Sequence, residues 1–197
     1  NKFGVINLSV ANFRSKPDHI AELVTQGLLG TPVKVYKKGE DGFYLIQTPD
    51  NYIAWLDDDG VEFMTEDEIK EWLSSPKIIY KKEYGFSYSE ANENSQTVSD
   101  LAAGNLLKIM GEDSDFFLVN YPDGRTAYIK KDEAKLFSDW YNALNSTGET
   151  IINTAYRFMG IPYLWGGTST KGMDCSGFTK TVYYLNGIIL QRDASQQ

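Results

Sequence analysis

The single cysteine of the chain, Cys175, stands in a segment whose residue types can support nucleophilic catalysis. The local sequence is Asp174-Cys175-Ser176-Gly177-Phe178, and apolar residues at helical spacing follow it. This pattern predicts that Cys175 lies in the first turn of a helix. Unpaired backbone amides and the helix dipole favour an anion there, and therefore the reactive thiolate. The same amides can serve as an oxyanion hole, and the small neighbours leave the sulfur approachable.

A structural role for this cysteine is the competing interpretation. A lone cysteine in a helix is more often a buried apolar residue than a nucleophile. Such a residue belongs on the apolar stripe in mid-helix, whereas Cys175 is flanked by Asp174 and Ser176. Its position therefore favours the nucleophile. One cysteine permits no internal disulfide, so cysteine usage does not indicate a compartment.

Composition excludes several other classes of function. The 197 residues carry a formal net charge of -8, and no run of Lys or Arg is longer than two. A nucleic-acid interface needs clustered cations, so nucleic acid is not an expected partner. No stretch approaches the ~18 consecutive apolar residues of a membrane span. No cofactor and no metal are expected.

An internal repeat precedes residue 139. Each copy consists of short β segments separated by turn residues such as Pro-Asp-Asn and Pro-Asp-Gly. Two such copies predict two small barrels, because closing a sheet into a barrel removes its exposed strand edges. The aligned pairs are 30–35 with 104–109, 43–46 with 116–119, 49–50 with 122–123, and 54–55 with 127–128.

Three helices are predicted to position these parts. Thr65 and Glu68 form a capping box that starts a short helix through Leu73, which joins the two repeats. A second helix covers 149–159, with an apolar face formed by Ile151, Ile152, Ala155, Phe158 and Met159. After a Gly-rich loop, Asp174 opens the third helix, which Asn186-Gly187 closes.

The motifs on either side of that loop resemble a known family. Tyr-Leu-Trp-Gly-Gly (163–167) followed by Asp-Cys-Ser-Gly-Phe (174–178) is similar to the NlpC/p60 peptidases, papain-like cysteine peptidases of bacterial cell walls. The resemblance covers about residues 146–197, and paired SH3-like barrels ahead of such a domain resemble its γ-D-glutamyl-diamino acid endopeptidase branch. It implies a multi-domain chain: two small SH3-like β-barrels followed by the N-terminal part of a papain-like α+β peptidase domain. The implied units are 1–64, a linker helix 65–76, 77–138 and 139–197.

The resemblance also implies roles for individual residues. Cys175 matches the nucleophile, which attacks the carbonyl of a γ-D-glutamyl link, and Tyr163 matches the tyrosine whose hydroxyl points at that carbonyl. Asp174 and Ser176 match flanking residues that help bind substrate. Asp193 is a candidate for binding the substrate's amine. The neighbouring alanine, residue 194, stands where a serine is commonly expected, which leaves a hydroxyl contact there in doubt.

In this branch the first barrel closes the substrate pocket. Glu22 and Tyr52 are the candidates for receiving the free amino group of the peptide's L-Ala, since an ammonium needs a carboxylate. An ordinary solvated charge for Glu22 and barrel packing for Tyr52 remain the alternatives. The only histidine, His19, lies in a turn-forming segment and is expected to be a surface residue rather than a partner of Cys175.

The family's catalytic histidine and its orienting residue lie downstream of the nucleophile helix, so the resemblance implies that they lie beyond residue 197. The chain alone is then expected to be inactive, with apolar helix faces exposed and the rest of its own peptidase domain as a partner. The expected substrate is a murein stem peptide with a free L-Ala. The expected location is the bacterial cell envelope, periplasmic or secreted, with cytoplasmic recycling as an alternative. A non-catalytic wall-peptide binding module and an amidase or acyltransferase on the same scaffold remain the other hypotheses.

Overall fold

A seven-stranded antiparallel sheet forms the N-terminal part of the molecule. The computed structural model describes residues 2–197, so residue 1 of the first predicted unit lies outside it. The strands are β1 (Phe3–Ile6), β2 (Val10–Arg14), β3 (Leu23–Leu28), β4 (Pro32–Lys38), β5 (Phe43–Gln47), β6 (Ile53–Asp57) and β7 (Val61–Met64). Their order across the sheet is β3-β2-β6-β5-β4-β1-β7.

A second seven-stranded antiparallel sheet follows with the same topology. Its strands are β8 (Lys77–Tyr80), β9 (Tyr84–Tyr88), β10 (Thr97–Ala102), β11 (Leu106–Glu112), β12 (Phe116–Asn120), β13 (Thr126–Lys130) and β14 (Ala134–Leu136). The order β10-β9-β13-β12-β11-β8-β14 repeats that of the first sheet strand for strand. The register shift between Val35 and Lys37 recurs between Ile109 and Gly111. The predicted internal repeat is thereby confirmed, while closure of each sheet into a barrel stays a prediction.

The helix predicted between the repeats is present as α1 (Glu66–Ser74). Thr65 accepts a hydrogen bond from the Glu68 amide, and the Glu68 carboxylate accepts one from the Thr65 amide, so the capping box is confirmed. Ile69 and Trp72 are buried with Val5 and Met64 against the first sheet. This packing supplies most of the stability that a helix of this length lacks by itself.

The two sheets meet backbone to backbone at Gly30. This residue has a φ of +84°, and a Cβ there would lie 2.1 Å from the Leu106 carbonyl oxygen. The amide of Leu106 donates to the Leu29 carbonyl at 2.9 Å. The Trp72 indole donates to the Gly30 carbonyl at 3.2 Å. Only a glycine combines this backbone conformation with so close an approach.

The C-terminal part contains three helices and a short hairpin. They are α2 (Phe137–Asn142), α3 (Gly148–Arg157), the hairpin β15 (Thr168–Ser169) and β16 (Gly172–Met173), and α4 (Cys175–Tyr184). No sequence pattern predicted α2, and the hairpin lies within the segment expected to be a Gly-rich loop. Phe158, Met173 and Val182 form the core that joins α3 to α4. None of the helices within residues 2–197 combines the length and apolar character that crossing a bilayer requires.

The apolar face predicted for the helix at 149–159 is only partly correct. Ile151, Ala155 and Phe158 pack into the C-terminal core. Ile152 and Met159 are instead 55% and 72% exposed. The buried stripe of α3 follows the spacing i, i+4, i+7, and it is too narrow to include the residues on its flank. Exposure of part of this helix agrees with the expectation from sequence.

Candidate active site

Cys175 is the first residue of α4, and its side chain is exposed. Asp174 is the N-cap, and its carboxylate accepts from the Gly177 amide at 2.8 Å. The predicted position at a solvent-accessible helix start is therefore confirmed. The alternative of a buried apolar cysteine in mid-helix is wrong for this chain.

The start of α4 lies against the Gly-rich loop. A Cβ on Gly177 would lie 1.9 Å from the Gly167 carbonyl oxygen. The Asp174 amide donates to that same carbonyl at 3.2 Å, and the Gly166 amide donates to the Asp174 carboxylate at 3.0 Å. Glycines at 166, 167 and 177 thus let the loop backbone approach the helix closely enough to fix the position of Cys175.

A buried ion pair between Arg192 and Asp174 stabilises the segment that contains Cys175. Arg192 Nη2 lies 2.5 Å from Asp174 Oδ2, and the two side chains are only 4% and 8% exposed. Arg192 Nη1 also donates to Ser176 Oγ at 2.7 Å. Burial by itself raises the pKa of Asp174, but hydrogen bonds from Arg192 and from backbone amides outweigh it and hold the pKa below its usual value. Asp174 is therefore a carboxylate that binds protein groups on both of its oxygens.

Cys175 opens into a cleft of about 250 Å³ between the first sheet and the C-terminal segment. The cleft brings together residues from three distant parts of the chain. Its lining residues are Glu22, Val24, Tyr52, Trp165, Gly166, Asp174, Cys175, Ser176, Arg192, Asp193 and Ala194. All of the predicted site residues except Tyr163 are among them.

The first sheet contributes Glu22, directly before β3, and Tyr52, directly before β6. Glu22 accepts a hydrogen bond from the Trp165 indole at 2.7 Å, which connects the first sheet to the Gly-rich loop. Burial raises the pKa of Tyr52, the Asp193 and Glu22 carboxylates raise it further, and Arg192 opposes them. The phenol of Tyr52 is consequently neutral and can donate a hydrogen bond inside an acidic cleft.

Tyr163 occupies a different position. Its backbone bridges to Met173, and its side chain is 67% exposed. It is not among the residues that line the cleft around Cys175. Its contact with the reacting carbonyl stays a prediction.

His19 has the environment expected of a surface residue. Its side chain is 73% exposed, and Nε2 lies 3.2 Å from Asp57 Oδ2. Its ring packs edge-on against Phe43 at 4.9 Å between centroids. The prediction that His19 is a surface histidine is confirmed.

Two further residues, Arg192 and Trp165, organise the cleft through contacts that the sequence did not predict. Arg192 directly precedes Asp193 in the sequence, and the structure shows that it is the buried partner of Asp174. Trp165 belongs to the Tyr-Leu-Trp-Gly-Gly motif, and the structure shows that its indole donates a hydrogen bond to Glu22. A buried carboxylate needs a cation nearby, so burial of Asp174 would have indicated a partner such as Arg192. Nothing in the local sequence indicated the partner of Trp165.

Two family models match this chain. Residues 13–61 match the bacterial dipeptidyl-peptidase SH3 domain, and residues 160–197 match the NlpC/P60 family. The second match contains Cys175 and most of the cleft. Residues 160–197 belong to the NlpC/P60 family.

Similar proteins extend the match over most of the length of this chain. A gamma-D-glutamyl-L-lysine dipeptidyl-peptidase of Bacillus cereus is 30% identical over 89% of this chain and 54% of the relative. Dipeptidyl-peptidase 6 of Lysinibacillus sphaericus is 26% identical over 96% of this chain and 72% of that relative. The chain thus spans only about half of the first of these proteins.

The fold is also similar to that of solved NlpC/P60 structures. The crystal structure of an NlpC/P60 family protein from Bacillus cereus matches with a TM-score of 0.83 and 25% identity, covering 99% of this chain and 76% of the other. An NlpC/P60 endopeptidase from Photobacterium damselae matches with a TM-score of 0.71 at 17% identity, covering 45% of that chain. The latter match concerns the fold alone.

Proposed function

We propose that this chain supplies the nucleophile and the substrate cleft of a cysteine peptidase that cleaves murein stem peptides between γ-D-glutamate and the diamino acid. The observation that carries the proposal is an exposed Cys175 at a helix start, inside a cleft that Glu22 and Tyr52 of the first sheet also line. The names of two relatives support the choice of bond, since both are dipeptidyl-peptidases and one name specifies γ-D-glutamyl-L-lysine.

The chemistry follows from the position of the sulfur. The Cys175 thiolate attacks the γ-carbonyl carbon, a C–S bond forms, and the backbone amides at the start of α4 stabilise the oxyanion. The C–N bond then breaks as the diamino acid's nitrogen takes up a proton from the general acid, a role that the resemblance assigns to a histidine downstream of residue 197. Water hydrolyses the thioester and returns the thiolate. The cleft holds the acyl part of the substrate during both steps.

Substrate selection rests on charge. The carboxylates of Glu22 and Asp193 line the same cleft, and both can bind the ammonium of a free N-terminal L-Ala. A blocked amine would leave these carboxylates without a cation, which disfavours longer or acylated peptides. The substrate class is therefore a released wall fragment, which is consistent with action at the cell envelope. Cytoplasmic recycling of such fragments would use the same chemistry.

The first experiment tests the nucleophile by alkylation of the 197-residue chain with iodoacetamide at about pH 6, where ordinary thiols react slowly. The matched control carries Cys175→Ser together with Ser74→Cys, which moves the only cysteine to the C-terminal end of α1. We expect Cys175 to react at least about tenfold faster than the cysteine at position 74. The N-terminal end of a helix carries a partial positive charge that favours a thiolate, whereas the C-terminal end carries a partial negative charge that disfavours it. Equal rates would leave only a wall-peptide binding module.

The second experiment measures binding of L-Ala-γ-D-Glu-L-Lys, its diaminopimelate analogue and their N-acetylated forms by calorimetry. We expect the free amines to bind at least about tenfold more tightly, and Glu22→Gln to remove that preference. Val24→Ile is a conservative cleft control. A preference that survives Glu22→Gln would remove the amine-binding role of that residue.

General-base assistance is a separate requirement, and it typically contributes ~10²–10⁴ in rate. The only histidine of the chain, His19, contacts Asp57, and the resemblance assigns the base to a downstream histidine. We therefore expect the 197-residue chain alone to bind stem peptides but to hydrolyse them very slowly. Rapid hydrolysis by this chain, measured by mass spectrometry of the products, would contradict the assignment of the base.

A further inference from the structure

A buried ion pair connects the nucleophile helix to the turn that carries Tyr52. Lys180, in α4, has its Nζ 2.5 Å from Asp50 Oδ2, and the two side chains are 17% and 2% exposed. Asp50 and Tyr52 belong to one tight turn between β5 and β6. The pair is therefore a direct link between the helix that begins at Cys175 and the first-sheet wall of the cleft.

The turn is rigid enough to transmit this link. Thr48 Oγ1 donates to Asp50 Oδ1 at 2.5 Å, and the Thr48 amide donates to the Tyr52 carbonyl at 3.0 Å. The Asn51 amide donates to the Thr48 carbonyl at 2.9 Å, and Asn51 has a φ of +66°. Thr48 is thus bonded to Asp50, Asn51 and Tyr52 of the same turn, so a displacement of Asp50 is expected to move Tyr52 as well.

Packing around the pair is incomplete. A cavity of about 90 Å³ lies between the first sheet and α4, and Asp50, Lys180, Gln26, Thr168 and Tyr184 are among its lining residues. Continuous apolar packing therefore does not fix the distance between the turn and the helix at this point. A directional ion pair can fix this distance across a partly empty interface, and it can do so without adding net stability, because desolvation of the two charges offsets their attraction.

The pair and Tyr52 also share their charged surroundings. Asp193, Arg192 and Asp50 perturb the pKa of Tyr52, after burial as the main cause. Burial lowers the pKa of Lys180, whereas its pairing with Asp50 acts in the opposite direction. The same charged side chains of the cleft thus lie close to both the phenol and the ammonium.

We infer that Asp50 and Lys180 are a positioning pair that sets Tyr52 at the correct distance from Cys175 for binding the amine end of the peptide. The inference rests on the proposed function, because it concerns the same cleft. It assigns a role in peptide binding to Asp50 and Lys180, which are not among the residues that line the cleft around Cys175.

The test combines peptide affinity with the free energy of unfolding in urea. Asp50→Asn and Lys180→Met are made singly and together in the 197-residue chain, and Glu83→Gln is the control, since Glu83 pairs with Arg157 between the second sheet and α3. We expect each single variant to weaken binding of L-Ala-γ-D-Glu-L-Lys by about tenfold. The double variant should regain stability, because no buried charge is left unpaired, and yet keep the weak binding. Glu83→Gln should leave affinity unchanged.

A double-mutant cycle with Tyr52→Phe tests whether Asp50 affects peptide binding through Tyr52. If Asp50 acts through Tyr52, the double variant Asp50→Asn/Tyr52→Phe binds no more weakly than Tyr52→Phe alone. Additive losses, or affinity that recovers together with stability in the Asp50→Asn/Lys180→Met protein, would overturn the inference. Unchanged affinity in the single variants would overturn it while sparing the proposed function. An unmodified chain that binds no peptide would overturn both.

Discussion

At the scale of single residues, the carboxylate of Asp174 shows how the nucleophile segment is organised. It accepts hydrogen bonds from the Gly166 and Gly177 amides and pairs with Arg192. Ser176 is bonded to the same guanidinium. These contacts orient the residues on both sides of Cys175, whereas the substrate contacts predicted for Asp174 and Ser176 remain predictions.

The lowered pKa of Asp174 leads to a pH-dependent stability. The folded-state pKa lies below the unfolded value of about 4, so the unfolded state binds more protons between the two values. The stabilisation is therefore present above about pH 4 and is lost as the pH falls through the folded-state pKa. Asp174→Asn retains a capping acceptor but not the charge, and we expect it to lose about 2–4 kcal/mol at neutral pH.

Urea unfolding at a series of pH values checks this prediction. The difference between Asp174→Asn and the unmodified chain should shrink steadily in acid, because both then carry an uncharged group at this position. The exposed Asp139 provides the matched control, since Asp139→Asn should change stability by less than about 0.5 kcal/mol. A difference that does not vary with pH would mean that the ion pair contributes nothing through charge.

At the scale of secondary structure, the contact between α4 and the Gly-rich loop depends on the lack of a side chain at Gly177. Its Cβ would lie 1.9 Å from the Gly167 carbonyl oxygen. Gly177→Ala must therefore separate the helix start from the loop, and we expect a loss of about 2–3 kcal/mol, as for other overpacked sites. Alkylation of Cys175 should also slow, because the helix start moves.

Gly148 provides the control for this prediction. It is the first residue of α3, and a Cβ there would meet no atom within 4 Å. Gly148→Ala should be neutral or stabilising by up to about 1 kcal/mol, because alanine loses less backbone entropy on folding. Thermal unfolding of Gly177→Ala and Gly148→Ala provides the measurement. Similar losses of stability in the two variants would show that the close contact at Gly177 is not the cause of the destabilisation.

The capping box of α1 supports a second prediction at this scale. Thr65→Ala removes both side-chain contacts to Glu68 and should cost about 1 kcal/mol in unfolding free energy. Thr65→Ser keeps a capping hydroxyl and should cost only a few tenths of that amount. Denaturant unfolding of both variants provides the measurement, and equal losses would assign the effect to the threonine methyl group.

At the scale of the whole molecule, Gln26 joins the first sheet to the hairpin that precedes α4. Its side-chain oxygen accepts from the Thr168 amide and from Ser169 Oγ, both at 2.9 Å. Gln26→Leu leaves these buried donors without a partner and should cost about 2–4 kcal/mol. Gln47→Leu, at a half-buried position at the end of β5, should cost less than about 1 kcal/mol.

Stability and peptide affinity should both respond to this change. Because the hairpin leads directly into the nucleophile helix, Gln26→Leu should weaken stem-peptide binding as well as folding. Measurements in urea and by calorimetry on the two glutamine variants test this coupling. A loss in stability without any loss in affinity would show that the first sheet and the cleft are energetically independent at this contact.

Local sequence was sufficient to determine the repeat, the helix that begins at Cys175 and the capping box of α1. These features depend on short-range periodicity and on the residue types at helix starts and turns, which act over a few residues. The NlpC/P60 motifs belong to the same category, since they lie within one short segment. The expected apolar face of α3 was less accurate, because periodicity does not specify how wide the buried stripe is.

Only the tertiary structure decided which distant residues meet at the cleft and beside it. Glu22 contacts Trp165, Asp50 pairs with Lys180, and Arg192 pairs with Asp174. A sequence pattern records that a side chain is suited to burial or to charge, but it does not record the partner, which depends on how the sheets and helices pack. The cleft around Cys175 is a product of that packing, and the residues that line it come from parts of the chain that are far apart in sequence.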